Sequence, residues 1–229
     1  MNKDKLDYLD AMDIQGWALR EKPIAKQQDC PSESVALSSE EPGKLSAMGW
    51  SELKDCVQNC QKCSLHLTRT QTVFGVGDQS ATWMLVGEAP GKDEDLQGRP
   101  FVGRAGQLLT EMLTAIGLTR EAVFIANTIK CRPPNNRDPE PEESESCRGY
   151  LQRQVELVQP KILLAFGRIA AQNLLGTELP LKELRGKVHY YGVDKIPVVV
   201  VYHPAYLLRS LTEKRKAWDD LQLALKVRG

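Results

Sequence analysis

"TWMLVGEAPGKDED", residues 82–95, opens as an unbroken apolar run and continues into a loop with four acids. Residues Trp83–Val86 do not alternate with polar ones, which is the pattern of a strand buried on both faces. Three more such runs follow: "AVFIANT" (122–128), "KILLAFG" (161–167) and "IPVVVVYHP" (196–204). Helical segments separate them at 105–117, 150–160 and 168–176, and a helix over 213–227 closes the chain. This alternation predicts an α/β fold, a three-layer αβα arrangement around a central parallel four-stranded sheet. Ligands of such folds bind beyond the carboxyl ends of the strands. Three unusual stretches stand there: "GEAPG" (87–91), "NTIKCRPP" (127–134) and "HPAYLL" (203–208).

The first of them invites comparison with a phosphate-binding loop. That motif needs four residues between its glycine and its Gly-Lys pair, and a Ser or Thr after the lysine. Here three residues intervene, Lys92 precedes Asp93, and the acids nearby would repel a phosphate. The loop serves another purpose.

With 229 residues the chain can build its own hydrophobic core without disulfide staples. It has no apolar stretch of membrane-spanning length, and "MNKDKLDYLDAMD" lacks a signal-peptide core, so a cytoplasmic location is expected. Net charge is zero, but residues 1–55 carry a net of −4 and the remainder +4. Any nucleic-acid binding must therefore rest on a local basic surface. The expected organisation is a short segment over 1–20, a polar linker over 21–48 rich in Pro and Ser, and a folded domain over 49–229 that starts with a helix through "SELKDCVQNC".

Six cysteines in a reducing compartment point to metal ligation or spare thiols. Cys60 and Cys63 form a C-x-x-C, and Cys131 and Cys147 form a second, wider pair. Two such pairs can make one four-cysteine site, and the spacing suits zinc and an iron–sulfur cluster equally. Adding Cys56 imitates the C-x-x-x-C-x-x-C of radical S-adenosylmethionine enzymes. That motif would here lie on a helix ahead of every strand and would leave Cys131 and Cys147 unexplained.

"GEAPGKDEDLQGRPFVGRAGQLL", "NTIKCRPPNNR" and "HPAYLLR", together with those four cysteines, resemble family 4 uracil-DNA glycosylase, the iron–sulfur type. The likeness runs in order over roughly residues 55–229. It implies a DNA repair glycosylase that flips uracil out of DNA and hydrolyses its N-glycosidic bond, with Cys60, Cys63, Cys131 and Cys147 holding a [4Fe–4S] cluster. Each motif has a chemical rationale. Phe101 can stack on a flipped base, and the Asn127 amide can both donate to and accept from the base edge. His203 can hydrogen-bond the departing uracil anion. Gly87, Ala89 and Gly91 would line the base with backbone N–H groups. Glu88 and Glu94 are the carboxylates available to position water or balance a cationic sugar, and Glu94 is the candidate for part of the discrimination against thymine. Leu207 or Leu208 would wedge into the vacated stack, and Arg132, Arg137 and Arg209 would contact phosphates. Other branches of the superfamily carry a water-activating Asp or Asn where Ala89 stands and a bulky aromatic near Gly91. An inactive iron–sulfur DNA-binding module is the competing reading.

The segment "YLDAMDIQGWALREKP" sets Leu9, Met12, Ile14, Trp17 and Leu19 among acids ahead of the linker. It resembles the N-terminal peptide of the psi subunit of bacterial DNA polymerase III, which docks on the clamp loader. The expectation is partner docking through residues 1–20, by a chain that is otherwise a monomer.

Overall fold

A computed structural model of the chain describes residues 42–228. Its centre is a six-stranded sheet. The four apolar runs form β2 (Trp83–Gly87), β3 (Phe124–Asn127), β4 (Ile162–Phe166) and β6 (Ile196–Val201). They lie parallel in the spatial order β3-β2-β4-β6, with Val86 opposite both Ala126 and Ala165. Two antiparallel edge strands extend this expected core. β1 (Val76–Gly77) pairs with β3, and β5 (Val188–Tyr191) pairs with β6.

Both faces of the parallel strands are covered, which is why their sequences do not alternate. Successive residues feed opposite layers. Trp83, Leu85, Ile125, Leu164 and Val199 pack with Leu109 and Leu113 of α4 (Arg104–Ala115) and with Leu221 and Ala224 of α9 (Lys214–Arg228). Met84, Val86, Ala126, Leu163 and Val198 pack with Leu151 and Val155 of α5 (Pro141–Val158) and with Ala171 and Leu174 of α6 (Arg168–Leu175). The three-layer expectation holds.

A third apolar cluster lies off the sheet. Leu53 and Val57 of α2 (Trp50–Gln58) meet Ile129, Cys131, Cys147 and Tyr150 there. Leu45 of α1 (Pro42–Ala47) and Met48 pack against the same cluster, and Arg153 donates to the Met48 carbonyl at 2.8 Å. Residues 42–48, expected as linker, thus belong to the folded unit. The segment 1–20 and the linker up to residue 41 lie outside the described residues.

Helix α5 begins nine residues before the predicted start at Tyr150. Its first turns, "PEESES", carry no apolar stripe. What starts them is Pro141 in the first turn, the acids Glu142 and Glu143 near the helix N-terminus, and a 2.8 Å bond from the Glu140 N–H to the Glu143 carboxylate. Two more short helices, α3 (Lys92–Gln97) and α7 (Leu181–Leu184), and the one-turn α8 (Pro204–Leu207) complete the chain. Among the described residues no helix is long and apolar enough to cross a membrane.

Candidate functional site

The carboxyl ends of β2, β3 and β6 open into one cavity of about 420 Å³. Glu88, Ala89, Pro90 and Gly91 enter it from the loop after β2, Asn127 from the end of β3, and His203 from the end of β6. Phe101, between α3 and α4, closes a wall. The expected base-contacting residues Ala89, Gly91, Phe101 and Asn127 are therefore brought together. Gly87 stands just behind them. A Cβ there would fall 2.4 Å from Asn127 Oδ1 and 2.7 Å from the Phe101 ring, so only glycine lets the amide and the ring meet. Phe101 itself has φ +52°, a left-handed conformation that costs an aromatic residue about 1–3 kcal/mol and concentrates at functional sites.

His203 is half-buried on the cavity wall, and its ring stacks on Phe101 at 5.6 Å between centroids, 28° apart in plane. Burial pushes its imidazolium down to about 4, so the ring is neutral at physiological pH. Nδ1 accepts the Ala205 N–H at 3.2 Å, which assigns the proton to Nε2. The site therefore holds a neutral histidine with Nε2–H as its donor. Gly167, at the end of β4 with φ +92°, allows this close approach; a Cβ there would lie 3.1 Å from the Cβ of His203.

The acids of the opening stretch divide their work. Glu94 accepts from the Gly91 N–H at 3.1 Å with one oxygen and from Val102 and Gly103 N–H at 2.9 and 3.3 Å with the other. It clasps the loop after β2 to the segment carrying Phe101. The Gly91 N–H, expected to face the base, is thus engaged by Glu94, and Glu94, expected as a catalytic carboxylate, lines the cavity as well as holding this backbone. Asp95, buried, accepts from the Thr70 N–H at 2.9 Å, tying α3 to the cysteine segment. Glu88 is different. Its carboxyl has no hydrogen bond among the described residues, and burial pushes its pKa up to about 7, with Asp138 adding to the rise and Arg168 opposing it.

The residues expected on the DNA side separate. Leu207 is 1% exposed and packs in the core with Leu109 and Leu221, so it cannot serve as a wedge. Leu208 is half-buried beside it, while Tyr206 is exposed and stacks on Tyr202 at 5.1 Å. Arg137 lines the cavity, and its guanidinium grips Glu143 at 2.8 and 2.7 Å and also meets Glu140. Arg132 donates to Asn136 Oδ1 at 2.7 Å and stands outside the cavity lining. The guanidinium of Arg209, exposed on the cavity rim, makes no hydrogen bond or ion pair among the described residues.

Cys60, Cys63, Cys131 and Cys147 line one small pocket with Arg69, Lys130 and Tyr150. None of the described cysteines forms a disulfide. Burial pushes the thiols of Cys63 and Cys131 up, and that of Cys147 to about 12. Arg69 donates to Cys131 Sγ at 3.0 Å, and the Lys130 N–H to Cys147 Sγ at 3.4 Å. Among the described residues no three His, Cys, Asp or Glu side chains converge on a single ion position. Cys56 approaches Tyr150 Oη at 3.8 Å and is absent from the pocket lining.

The sequence reading missed the supports between these parts. Thr128 Oγ1 donates to the Glu88 carbonyl at 2.6 Å, and the Ile129 N–H to the same oxygen at 3.2 Å. The signal for Lys130 was present in "NTIKCRPP": a lysine where the chain leaves a buried strand. Arg69 had none, since nothing local marks it.

Comparison with known proteins agrees with this geometry. The family model described as "Uracil DNA glycosylase superfamily" matches residues 74–222. The type-4 uracil-DNA glycosylase of Archaeoglobus fulgidus is 52% identical over 160 residues, 66% of this chain and 79% of that protein. The type-4 enzymes of Thermotoga maritima and Sulfurisphaera tokodaii are 42% and 46% identical over 73% and 75% of this chain, and over 88% and 81% of their own lengths. A type-5 enzyme of Pyrobaculum aerophilum shares 33% over 57% of this chain and 64% of its own length. The family model begins two residues before β1 and ends inside α9, so it takes in the whole sheet and every wall of the cavity. With strand-end pocket and four-cysteine pocket both in place, the chain belongs to the uracil-DNA glycosylase superfamily, in its type-4 branch.

Proposed function

We infer that the chain is a monofunctional glycosylase that flips uracil out of DNA and hydrolyses its N-glycosidic bond, starting base excision repair. The observation carrying this reading is the neutral His203 set beside Phe101 and Asn127 in one cavity at the strand ends. A base inside a duplex is out of reach, so the nucleotide rotates into the cavity. Phe101 stacks on its ring, and the Asn127 amide reads the edge that separates uracil from cytosine. As the bond between C1′ and N1 breaks, its electron pair leaves with the uracil. His203 Nε2–H then stabilises the anion at a carbonyl oxygen, as a preorganised donor does. Water adds to C1′, and the Glu88 carboxylate receives its proton. Glu94 keeps Gly91 and the Phe101 segment in place throughout.

Cys60, Cys63, Cys131 and Cys147 fit a [4Fe–4S] cluster. Their sulfurs surround a pocket rather than meeting at a point, and Arg69 and Lys130 bring positive charge and N–H donors to them. Such a group would supply a cross-link between the segment after α2, the loop after β3 and α5. On the DNA side, Arg209 contacts phosphate and Leu208 is the leucine left to fill the stack. Residues 1–20 carry the enzyme, a cytoplasmic monomer, to the replicative clamp loader.

The test is purification under anaerobic conditions followed by incubation with a uracil-containing oligonucleotide. A brown protein with about four irons and four labile sulfides that releases free uracil is expected. DNA binding without release would make it a binding module, and a colourless zinc protein would overturn the cluster.

A further inference from the structure

Two pockets that differ in every chemical respect share one short ribbon, Asn127 to Cys131, and Lys130 is its oddest member. It is 1% exposed. Its ammonium donates to the Asn127 carbonyl at 2.8 Å and to Gln154 Oε1 at 2.6 Å. Its own N–H meets Cys147 Sγ at 3.4 Å, and its carbonyl accepts the Val73 N–H at 2.8 Å. Gln154 is anchored in turn on the Phe74 carbonyl at 2.8 Å. No carboxylate among the described residues pairs with this ammonium. A buried cation without a counter-charge is strongly unfavourable, and several apolar residues of similar length would fill the same space. Something else must supply the negative charge. Among the described residues, the candidate is the cysteine pocket, which Lys130 lines together with four cysteines.

We propose that Lys130 is a positioning residue: it takes its counter-charge from the cysteine thiolates of the loaded site and uses its ammonium to fix the Asn127 backbone in the base pocket. Loading of the cysteines and reading of the base are thereby linked through one side chain. The neighbours on the ribbon reinforce the link, since Thr128 and Ile129 hold the Glu88 carbonyl, and Ala89 packs against the cysteine-side cluster. Asn127 would then lose its register when the thiolates lose their charge, although no cysteine touches the base. This proposal rests on the [4Fe–4S] and uracil readings above.

The experiment uses the full chain purified anaerobically, as wild type, Lys130→Gln and Lys130→Met. Lys130→Gln keeps a donor of similar reach without the charge, so it guards against a variant that merely fails to fold. Three quantities are read: iron and labile sulfide per chain, the reduction midpoint by spectroelectrochemistry, and the affinity for free uracil by competition. In Lys130→Gln the midpoint should move to more negative values, because a positive charge beside the thiolates is gone. Uracil affinity should fall about tenfold, the scale of one hydrogen bond from a charged donor. A side chain that served only to fill space would leave the midpoint where it was. An iron-loaded wild type whose Lys130→Gln variant keeps both midpoint and uracil affinity overturns this inference alone. An iron-free wild type overturns the cluster reading and takes the inference with it.

Discussion

The base pocket and the cysteine pocket are built by opposite means. The first gathers single side chains from separate strand ends, Asn127 from β3 and His203 from β6, and stays open to solvent on one side. The second lies off the sheet, and its cysteines come from the segment after α2, the loop after β3 and the second turn of α5. In the first, the sheet does the positioning and the side chains do chemistry. In the second, the side chains are themselves what positions the backbone. Substitutions should therefore fail differently in the two places, with loss of reaction in one and loss of structure in the other.

The largest effect is expected at the cysteines. Cys147→Ala should abolish visible absorbance and lower stability by more than about 4 kcal/mol, the range reached when a structural metal site is lost. Thermal melting with iron analysis measures both, and a colourless variant that melts like wild type would erase the contrast between the pockets. Next comes His203→Ala, which should slow uracil release by about a hundredfold to a thousandfold while iron content stays at the wild-type value. Single-turnover assays with parallel iron analysis test it.

Glu88 sharpens the comparison through pH. Its pKa is raised, so the carboxylate form is lost as pH falls through about 7. Uracil release should drop about tenfold per pH unit below that point, and Glu88→Gln should be slow and nearly flat over the same range. His203, neutral down to about 4, contributes no limb between. A profile centred near 6.5 that survives Glu88→Gln would assign the titration elsewhere. The smallest effect belongs to the rim: Arg209→Ala should weaken binding alike for all sequences and reduce the slope of log affinity against log salt by about 1.

The four central strands were legible because burial on both faces leaves an unalternating apolar run that nothing else of that length explains. The edge strands were not. β1 is two residues long, and β5, "VHYY", is half-buried with Tyr190 exposed, so neither shows an apolar run or a clean alternation. The start of α5 hid behind a run of acids that looks like loop. At the site, Asn127 and His203 stand where strands end, but position alone did not single them out; like Phe101, they were picked out by the resemblance of the motifs around them. Leu207 against Leu208 could not be resolved, since a single turn such as α8 gives no periodicity to say which leucine faces the core. The acids of "GKDED" misled for a related reason. Glu94 and Asp95 satisfy backbone N–H groups 8 and 25 residues away in sequence, partners that no local pattern announces.

The left-handed Phe101 makes its wall of the pocket a unit of three residues. A Cβ at position 106 would lie 1.8 Å from the Phe101 carbonyl oxygen, and one at position 87 would lie 2.7 Å from its ring. Gly106 therefore admits the backbone path that presents residue 101, whatever its side chain, while Gly87 admits the ring itself. Each glycine is locked by a different part of the same residue. Transplanting Phe101 alone into another scaffold should fail, whereas moving the three residues together carries both the backbone path and the space for the ring.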